Sequence, residues 1–260
     1  MIELAEKKIV KNSVVIVTIT MVRDQEEYNR MVSTHRSLSQ LALTNDWKVV
    51  TVNRPTNSTF QKRLEYAFED FNIEVIKCTE GSVGLQLATA YVEGSKRAQD
   101  MVLYTEGDKT DFVPFIGKIL AQAADHERIF NTSPAMLVPG RINMGIYSCT
   151  RKSPERITNL IQSFLIGTKG DYQYGPKLFD PKIILPHEKI IMDYVKKRPG
   201  WQVATWLPIF LAIRYPGQVI PCPINVQPMK GEDKNFFKDL RFRFLTQLRQ
   251  AIVAMWDAAQ

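Results

Sequence analysis

The first half of the chain alternates apolar runs with segments in which apolar residues recur at helical spacing. The apolar runs predict β-strands over 14–21, 47–53, 73–78 and 101–105, and the other segments predict helices over 26–43, 60–71, 81–98 and 111–125. The run VVIVTITM at 14–21 is too uniformly apolar for a half-exposed strand, so it indicates a strand that is buried on both faces. This alternation predicts an α/β fold in which helices flank a mostly parallel, Rossmann-like sheet.

The second half of the chain is less regular. Strand-like runs cover 137–139, 145–149 and 218–224, and the prolines in the last of these favour the edge of the sheet. Helical patterns cover 157–165, 188–197 and 203–214, and Ser153 and Pro154 form a helix start before the first of them. The glycine-, proline- and tyrosine-rich stretch 167–181 predicts a long loop.

A long amphipathic helix is predicted over 234–256. It has one apolar stripe, formed by Leu240, Phe244, Leu248, Ile252 and Met255, and a basic face formed by Lys234, Lys238 and Arg241. Packing on the domain, or on a partner subunit in a homodimer, is one interpretation. The other is a basic amphipathic helix that rests on a membrane surface.

Composition and charge narrow the classes of protein. A net charge of +7 suits nucleic acid, an anionic membrane or phosphate-bearing small molecules, but the basic residues form no stripe and no nucleic-acid-binding motif occurs, so nucleic acid is not an expected partner. Cys78, Cys149 and Cys222 lie too far apart for a C-x-x-C motif or a disulfide framework. No secretory signal and no run long enough to span a bilayer is visible. We expect a cytoplasmic protein, and peripheral contact with the inner face of a membrane stays open.

The strongest chemical signal lies at 101–112, MVLYTEGDKTDF, where an apolar run ends in two acids one residue apart. Residues i and i+2 of an extended segment point the same way, so Glu106 and Asp108 can converge on one site. Gly107 between them permits a close approach. Ligands of parallel sheets bind beyond the carboxyl ends of the strands, and paired carboxylates suit a hard divalent cation that carries phosphates.

The first 115 residues resemble the nucleotide-binding half of family-2-like glycosyltransferases of the GT-A fold. VVIVTITM resembles the opening strand of that family, and WKVVTVN resembles its second strand. TEGSVGLQLATAYVEGSKRAQDMVLYTEGDK is similar to its glycine loop, helix, strand and D-x-D motif. Within that stretch, LATAYVEGSKRA is similar to polyprenyl-phosphate mannose synthases, and mannosylglycerate synthases are the other related type.

The resemblance implies a metal-dependent glycosyltransferase. It would transfer a sugar from a GDP- or UDP-linked donor to an acceptor that could be anionic or lipid-linked, with Mn²⁺ or Mg²⁺ as cofactor. It implies a nucleotide-sugar-binding half at 1–115, an acceptor-binding half of the same domain at 116–229, and a C-terminal helix at 230–260. The residues implied to bind the nucleotide sugar are Thr18, Thr20, Asn53, Arg54, Gly84, Glu106, Asp108 and Arg141. The implied metal ligands are Glu106, Asp108 and His187.

Two features leave the reaction open. Asp171 is the candidate catalytic base by placement, although a turn aspartate after Gly170 is an equal interpretation. Arg54 stands where many relatives carry an acid that contacts the nucleoside, and a guanidinium cannot accept hydrogen bonds. A sugar nucleotidyltransferase and a GT-A-like binding or assembly protein without catalysis therefore remain alternatives.

Overall fold

The computed structural model describes residues 13–22, 24–54, 59–78, 82–142, 149–226, 248–249 and 252–258. The strands are β1 (Val14–Thr20), β2 (Lys48–Asn53), β3 (Glu74–Lys77), β4 (Met101–Glu106), β5 (Met136–Arg141), β6 (Lys177–Phe179) and β7 (Val219–Ile224). The helices are α1 (Gln25–Asn45), α2 (Thr59–Asp70), α3 (Val83–Arg97), α4 (Ile116–Phe130), α5 (Cys149–Ile166), α6 (Pro181–Ile184), α7 (Glu188–Lys197) and α8 (Gln202–Arg214). Two 3-10 helices, Thr110–Phe115 and Leu185–His187, precede α4 and α7.

The seven strands form one sheet in the order β3-β2-β1-β4-β6-β5-β7. Every neighbouring pair is parallel except the two that involve β6, which runs antiparallel to β4 and to β5. The predicted α/β fold with a mostly parallel sheet is confirmed, and β7 lies at an edge as its prolines predict. Both halves of the chain contribute strands to this sheet.

Helices cover both faces of the sheet, and this explains the uniformly apolar β1. All seven residues of β1 are buried. Val15 and Val17 belong to the apolar core beneath α3, α7 and α8, whereas Val14 and Ile16 belong to the core beneath α1, α2 and α4. A strand with helices on both sides has no solvent-facing positions, so the apolar and polar alternation is lost.

The second half differs from the sequence prediction in two places. The predicted loop 167–181 contains β6, which fills the gap between β4 and β5 with Leu178 paired to Leu103 and to Leu137. The helix predicted to start at Ser153 begins at Cys149, so the strand predicted at 145–149 ends in a helix, and the remainder of that strand lies outside the described residues.

The described part of the predicted C-terminal helix packs on the domain. Residues 248–249 and 252–258 are helical, Ala254 and Ala258 are buried in the core, and Asp257 accepts a hydrogen bond from Arg198 at 3.0 Å. The rest of 234–256 lies outside the described residues. Within the described ranges, no helix is long and apolar enough to cross a membrane.

Candidate functional site

A cleft lies at the carboxyl ends of β1 and β4, where the predicted pair of acids ends its strand. Ile19 of β1 pairs in register with Glu106, the last residue of β4. The cleft has a volume of about 170 Å³. Its walls come from the ends of β1 and β4 and from the N-terminal turns of three helices: Ile19, Met21, Glu27, Met31, Val83, Glu106, Gly107, Asp108 and Trp201. The structure thus brings Glu106 and Asp108 together at one cavity.

Gly107 allows the end of β4 to lie against α1. A Cβ atom at this position would lie 2.8 Å from His35 Cε1 and 2.8 Å from the carbonyl oxygen of Ile19. Nδ1 of His35 donates to the carbonyl oxygen of Met31 at 2.7 Å, and Nε2 lies 2.9 Å from the Thr18 hydroxyl. Burial lowers the pKa of His35 to about 4, so this ring is neutral at pH 7. His35 therefore supports the turn between the two acids.

The negative charge of Glu106 affects the protonation of Asp108 in the cleft. Burial raises the pKa of Asp108, Lys109 opposes this shift, and the negative charge of Glu106 raises the pKa further. Lys109 Nζ lies 3.4 Å from Glu106 Oε2. A divalent cation between Glu106 and Asp108 would relieve their repulsion, so the donor set fits a hard metal ion. Since the described residues contain no group of three or more His, Cys, Asp or Glu side chains placed to hold a metal, substrate or water oxygens would have to complete the coordination.

His187 lies away from this cleft. It ends the 3-10 helix before α7, and its Nε2 lies 3.0 Å from the Tyr215 hydroxyl. The adjacent Glu188 accepts from Lys96, in the last turn of α3, at 2.8 Å, whereas Val83, the first residue of α3, lines the cleft. Fifteen helical residues, about 22 Å at 1.5 Å per residue, separate those ends. The structure therefore does not bring His187 together with Glu106 and Asp108, the two acids with which it was predicted to hold a metal.

Three polar residues that the resemblance assigns to the nucleotide sugar point into the protein. Thr18 is fully buried, and its hydroxyl lies 2.9 Å from the hydroxyl of its register partner Thr51. Thr20 donates to Oδ1 of its register partner Asn53 at 2.5 Å. These side-chain pairs join β1 to β2 at their carboxyl ends. They form the floor of this edge of the sheet.

Arg54 and Gly84 occupy the same edge in different ways. Arg54 follows β2, is exposed, and has its guanidinium 3.9 Å from the sulfur of Met21, a cleft residue. Gly84 is buried instead: its N–H donates to the carbonyl oxygen of Pro199 at 2.8 Å, and a Cβ atom would lie 2.7 Å from the carbonyl oxygen of Gly200. Gly84 thus lets the turn before α8 pack on the start of α3. That turn carries Trp201 into the cleft.

Arg141 and Asp171 form a buried ion pair at the carboxyl end of β5. Arg141 Nε donates to Asp171 Oδ2 at 2.6 Å and Nη2 donates to Glu155 at 2.7 Å, while Asn159 donates to Asp171 Oδ1 at 2.7 Å. Burial raises the pKa of Asp171, but the hydrogen bonds and charge of Arg141 outweigh burial and hold the pKa below its usual value. A carboxylate in this state is a weak proton acceptor. The structure thus supports an ion-pair role for Asp171 better than the predicted role of base.

Lys177, the first residue of β6, is a buried cation close to the candidate site. Its ammonium donates to the carbonyl oxygens of Tyr174, Gly175 and Pro176. Gly175 in turn packs against the Glu106 carboxylate so closely that a side chain there would collide with it. Burial lowers the pKa of Lys177 to about 8, and the charges of Asp171 and Glu106 oppose that shift.

Comparison with solved structures identifies the type of fold. No family model matches the chain, and no curated protein matches it. The structure is similar to that of glucosyl-3-phosphoglycerate synthase from Mycobacterium tuberculosis in complex with phosphoglyceric acid, with a TM-score of 0.63 and 12% identity over 96% of this chain and 81% of that one. It is equally similar to the same synthase in complex with Mn²⁺, UDP and glucosyl-3-phosphoglycerate, at a TM-score of 0.63 and 11% identity over the same shares of the two chains. The chain thus has the GT-A fold of nucleotide-sugar transferases.

Proposed function

We propose that this chain transfers a sugar from a nucleotide-diphosphate sugar to an acceptor, with Mn²⁺ or Mg²⁺ held by Glu106 and Asp108. The observation that carries the proposal is the pair of converging carboxylates at the carboxyl end of β4. A synthase of the same fold has been captured with Mn²⁺, UDP and a glycosylated product. The proposal goes beyond the fold, because proteins of one fold catalyse different reactions.

The leaving group sets the electrostatic requirement of such a reaction. Negative charge builds on the nucleoside diphosphate as the sugar departs, and a bound divalent cation would act as a Lewis acid toward that charge. Lys109 lies beside the same carboxylates, and the charge of Arg30 also lowers the pKa of Asp108. We propose that these two cations add positive potential at the phosphate subsite.

The nucleoside would lie over the ends of β1 and β2. We propose that Thr18, Thr20 and Asn53 act as the rigid floor of that subsite, because their polar groups already bind one another. Arg54 is exposed at this edge, so we propose that it contacts the nucleotide. An arginine at this place can donate hydrogen bonds and stack on aromatic rings, whereas an acid could only accept hydrogen bonds.

The hydrogen bonds of the Asp171 carboxylate bear on the kind of acceptor that the site could use. Because Arg141 and Asn159 bind its carboxylate, Asp171 is poorly suited to remove a proton from an acceptor hydroxyl. An acceptor that attacks through a phosphate or carboxylate oxygen needs no base. We therefore propose an anionic acceptor and a positioning role for Arg141 and Asp171 at the carboxyl end of β5.

Isothermal titration calorimetry with UDP- and GDP-linked hexoses, with Mn²⁺ and with chelator, tests the proposal. We expect binding to at least one donor that depends on Mn²⁺. Glu106→Gln/Asp108→Asn should weaken it by about 100-fold or more, since even changes to residues that only hydrogen-bond to metal ligands cost about 10- to 100-fold. Asp70→Asn, at an exposed acid ending α2, is the matched control. Binding without turnover would favour a GT-A-like binding protein, and wild-type affinity in the double variant would refute the metal site.

A further inference from the structure

A second, larger cavity lies between α5 and the strands β5 and β7. It has a volume of about 810 Å³ and is bounded by α5, by the loop 167–171 and by β7. We call it the α5–β7 groove, and its apolar wall consists of Leu160, Phe164, Pro221 and Pro223. Three of its lining residues, Gly140, Arg141 and Asp171, lie at the carboxyl end of β5. None of its lining residues lines the Glu106–Asp108 cleft.

The rim of the groove presents apolar side chains to solvent. Phe164 is 85% exposed and Leu160 is 72% exposed, the two highest values among the large hydrophobic residues in the described part of the chain. Ile157 is exposed on the same helix, so the three residues at i, i+3 and i+7 form one stripe on α5. An isolated exposed leucine needs no explanation, but a stripe of large apolar side chains beside a cavity marks a binding surface.

Cations surround this apolar stripe. Arg156 and Lys169 line the groove and are exposed, and Lys118 Nζ reaches the carbonyl oxygen of Pro223 at 3.2 Å. Asp171 is the one acid among the described residues that line the groove, and Arg141 holds it in an ion pair. The groove therefore combines protruding apolar side chains with a positive rim, on a chain whose net charge is +7.

The walls of the groove are tied together before any ligand arrives. Asn159 of α5 accepts from the backbone N–H of Tyr172 at 2.8 Å and donates to Asp171 at 2.7 Å. Ser163 accepts from the backbone N–H of Gly170 at 3.2 Å. These bonds fix the loop to α5, so the two walls of the groove keep their relative positions.

We infer that the α5–β7 groove docks this chain on the surface of an anionic lipid bilayer, with Phe164 and Leu160 in the interfacial region and Arg156 and Lys169 against the headgroups. Aromatic and aliphatic side chains flanked by Lys and Arg are what such surfaces bind. A second copy of this chain fits less well, because two positive rims would face each other across the interface. The inference does not depend on the transferase proposal.

Vesicle flotation without any nucleotide sugar tests the inference. We expect the full chain to float with vesicles of phosphatidylcholine mixed with phosphatidylglycerol and to stay behind with phosphatidylcholine alone. Phe164→Ser/Leu160→Ser should abolish flotation, whereas Leu43→Ser, at an exposed leucine on α1, should leave it unchanged. Arg156→Gln/Lys169→Gln should weaken binding roughly 25-fold, since each basic residue at an anionic surface contributes about fivefold. Lys62→Gln is the control for charge.

Several results would overturn the inference. Wild-type protein that does not float with anionic vesicles would overturn it, and so would unchanged flotation of Phe164→Ser/Leu160→Ser. A dimer in sedimentation velocity that this double variant dissociates would assign the groove to self-association instead. Circular dichroism and melting temperatures check that each variant is folded, and these substitutions alter exposed side chains, so we expect no loss of stability. Donor binding measured on the same variants should be unchanged, which separates this test from that of the transferase proposal.

Discussion

Replacing Gly107 by alanine would place a methyl group in a tight contact between the two acids of the candidate site. The added carbon would lie 2.8 Å from the ring of His35 and 2.8 Å from the carbonyl oxygen of Ile19. Neither neighbour can move easily, since Ile19 O belongs to the backbone of β1 and the His35 ring is bonded on both nitrogens. The end of β4 would have to shift instead, and Asp108 would shift with it.

Overpacking of this kind costs about 1–3 kcal/mol. We therefore expect the free energy of unfolding of Gly107→Ala, measured by urea denaturation, to fall by about that amount. We also expect its affinity for Mn²⁺, measured by calorimetry, to fall, because the two carboxylates would no longer converge. Both effects follow from one displaced turn, so they should occur together.

Gly117→Ala is the matched control. Gly117 lies in α4, and no atom would lie within 4 Å of an added Cβ there. Gly117 is the second residue of α4, and alanine favours the middle of a helix over glycine by roughly 0.5–1 kcal/mol, so at this first turn the variant should be as stable as the wild type or slightly more stable. A Gly107→Ala protein with wild-type stability and wild-type Mn²⁺ affinity would refute the account of this turn.

Three further outcomes follow from the buried charges. Asp171→Asn removes one of the two acids that pair with Arg141 and should lower the free energy of unfolding in urea by roughly 1.5–3 kcal/mol, since Glu155 remains as a partner; a variant of wild-type stability that lacks turnover would restore the role of base. Burial lowers the pKa of His35 from 6.5 to about 4, so the stability that depends on its neutral form is complete above pH 6.5 and is lost as the pH falls toward 4. That loss amounts to about 3 kcal/mol. His35→Gln should therefore flatten the pH dependence of the free energy of unfolding, measured in urea, between pH 6.5 and 4. Lys177→Met deprives three backbone carbonyls of their donor, so it should lower the melting temperature, unlike Lys182→Met at an exposed lysine.

Apolar periodicity was sufficient to predict the central parallel strands and their helices, because β1, β2, β4 and β5 are buried along nearly their whole length and are long enough to show it. It could not reveal β6, since a strand of three residues within a glycine- and proline-rich stretch owes its conformation to pairing with β4 and β5. The end of an apolar run also located Glu106 and Asp108. The chain order could not tell that α3 separates His187 from them, or that Thr18 and Thr20 bond to β2.

The proposed transferase activity requires a divalent cation at the end of β4. X-ray diffraction from crystals soaked with Mn²⁺ and UDP would show directly whether a cation binds there. We predict an anomalous scattering peak at coordination distance, about 2.0–2.2 Å, from carboxylate oxygens of Glu106 and Asp108, with diphosphate oxygens completing the coordination. Bound UDP with no peak between these two carboxylates, or a peak elsewhere in the chain, would contradict the central claim.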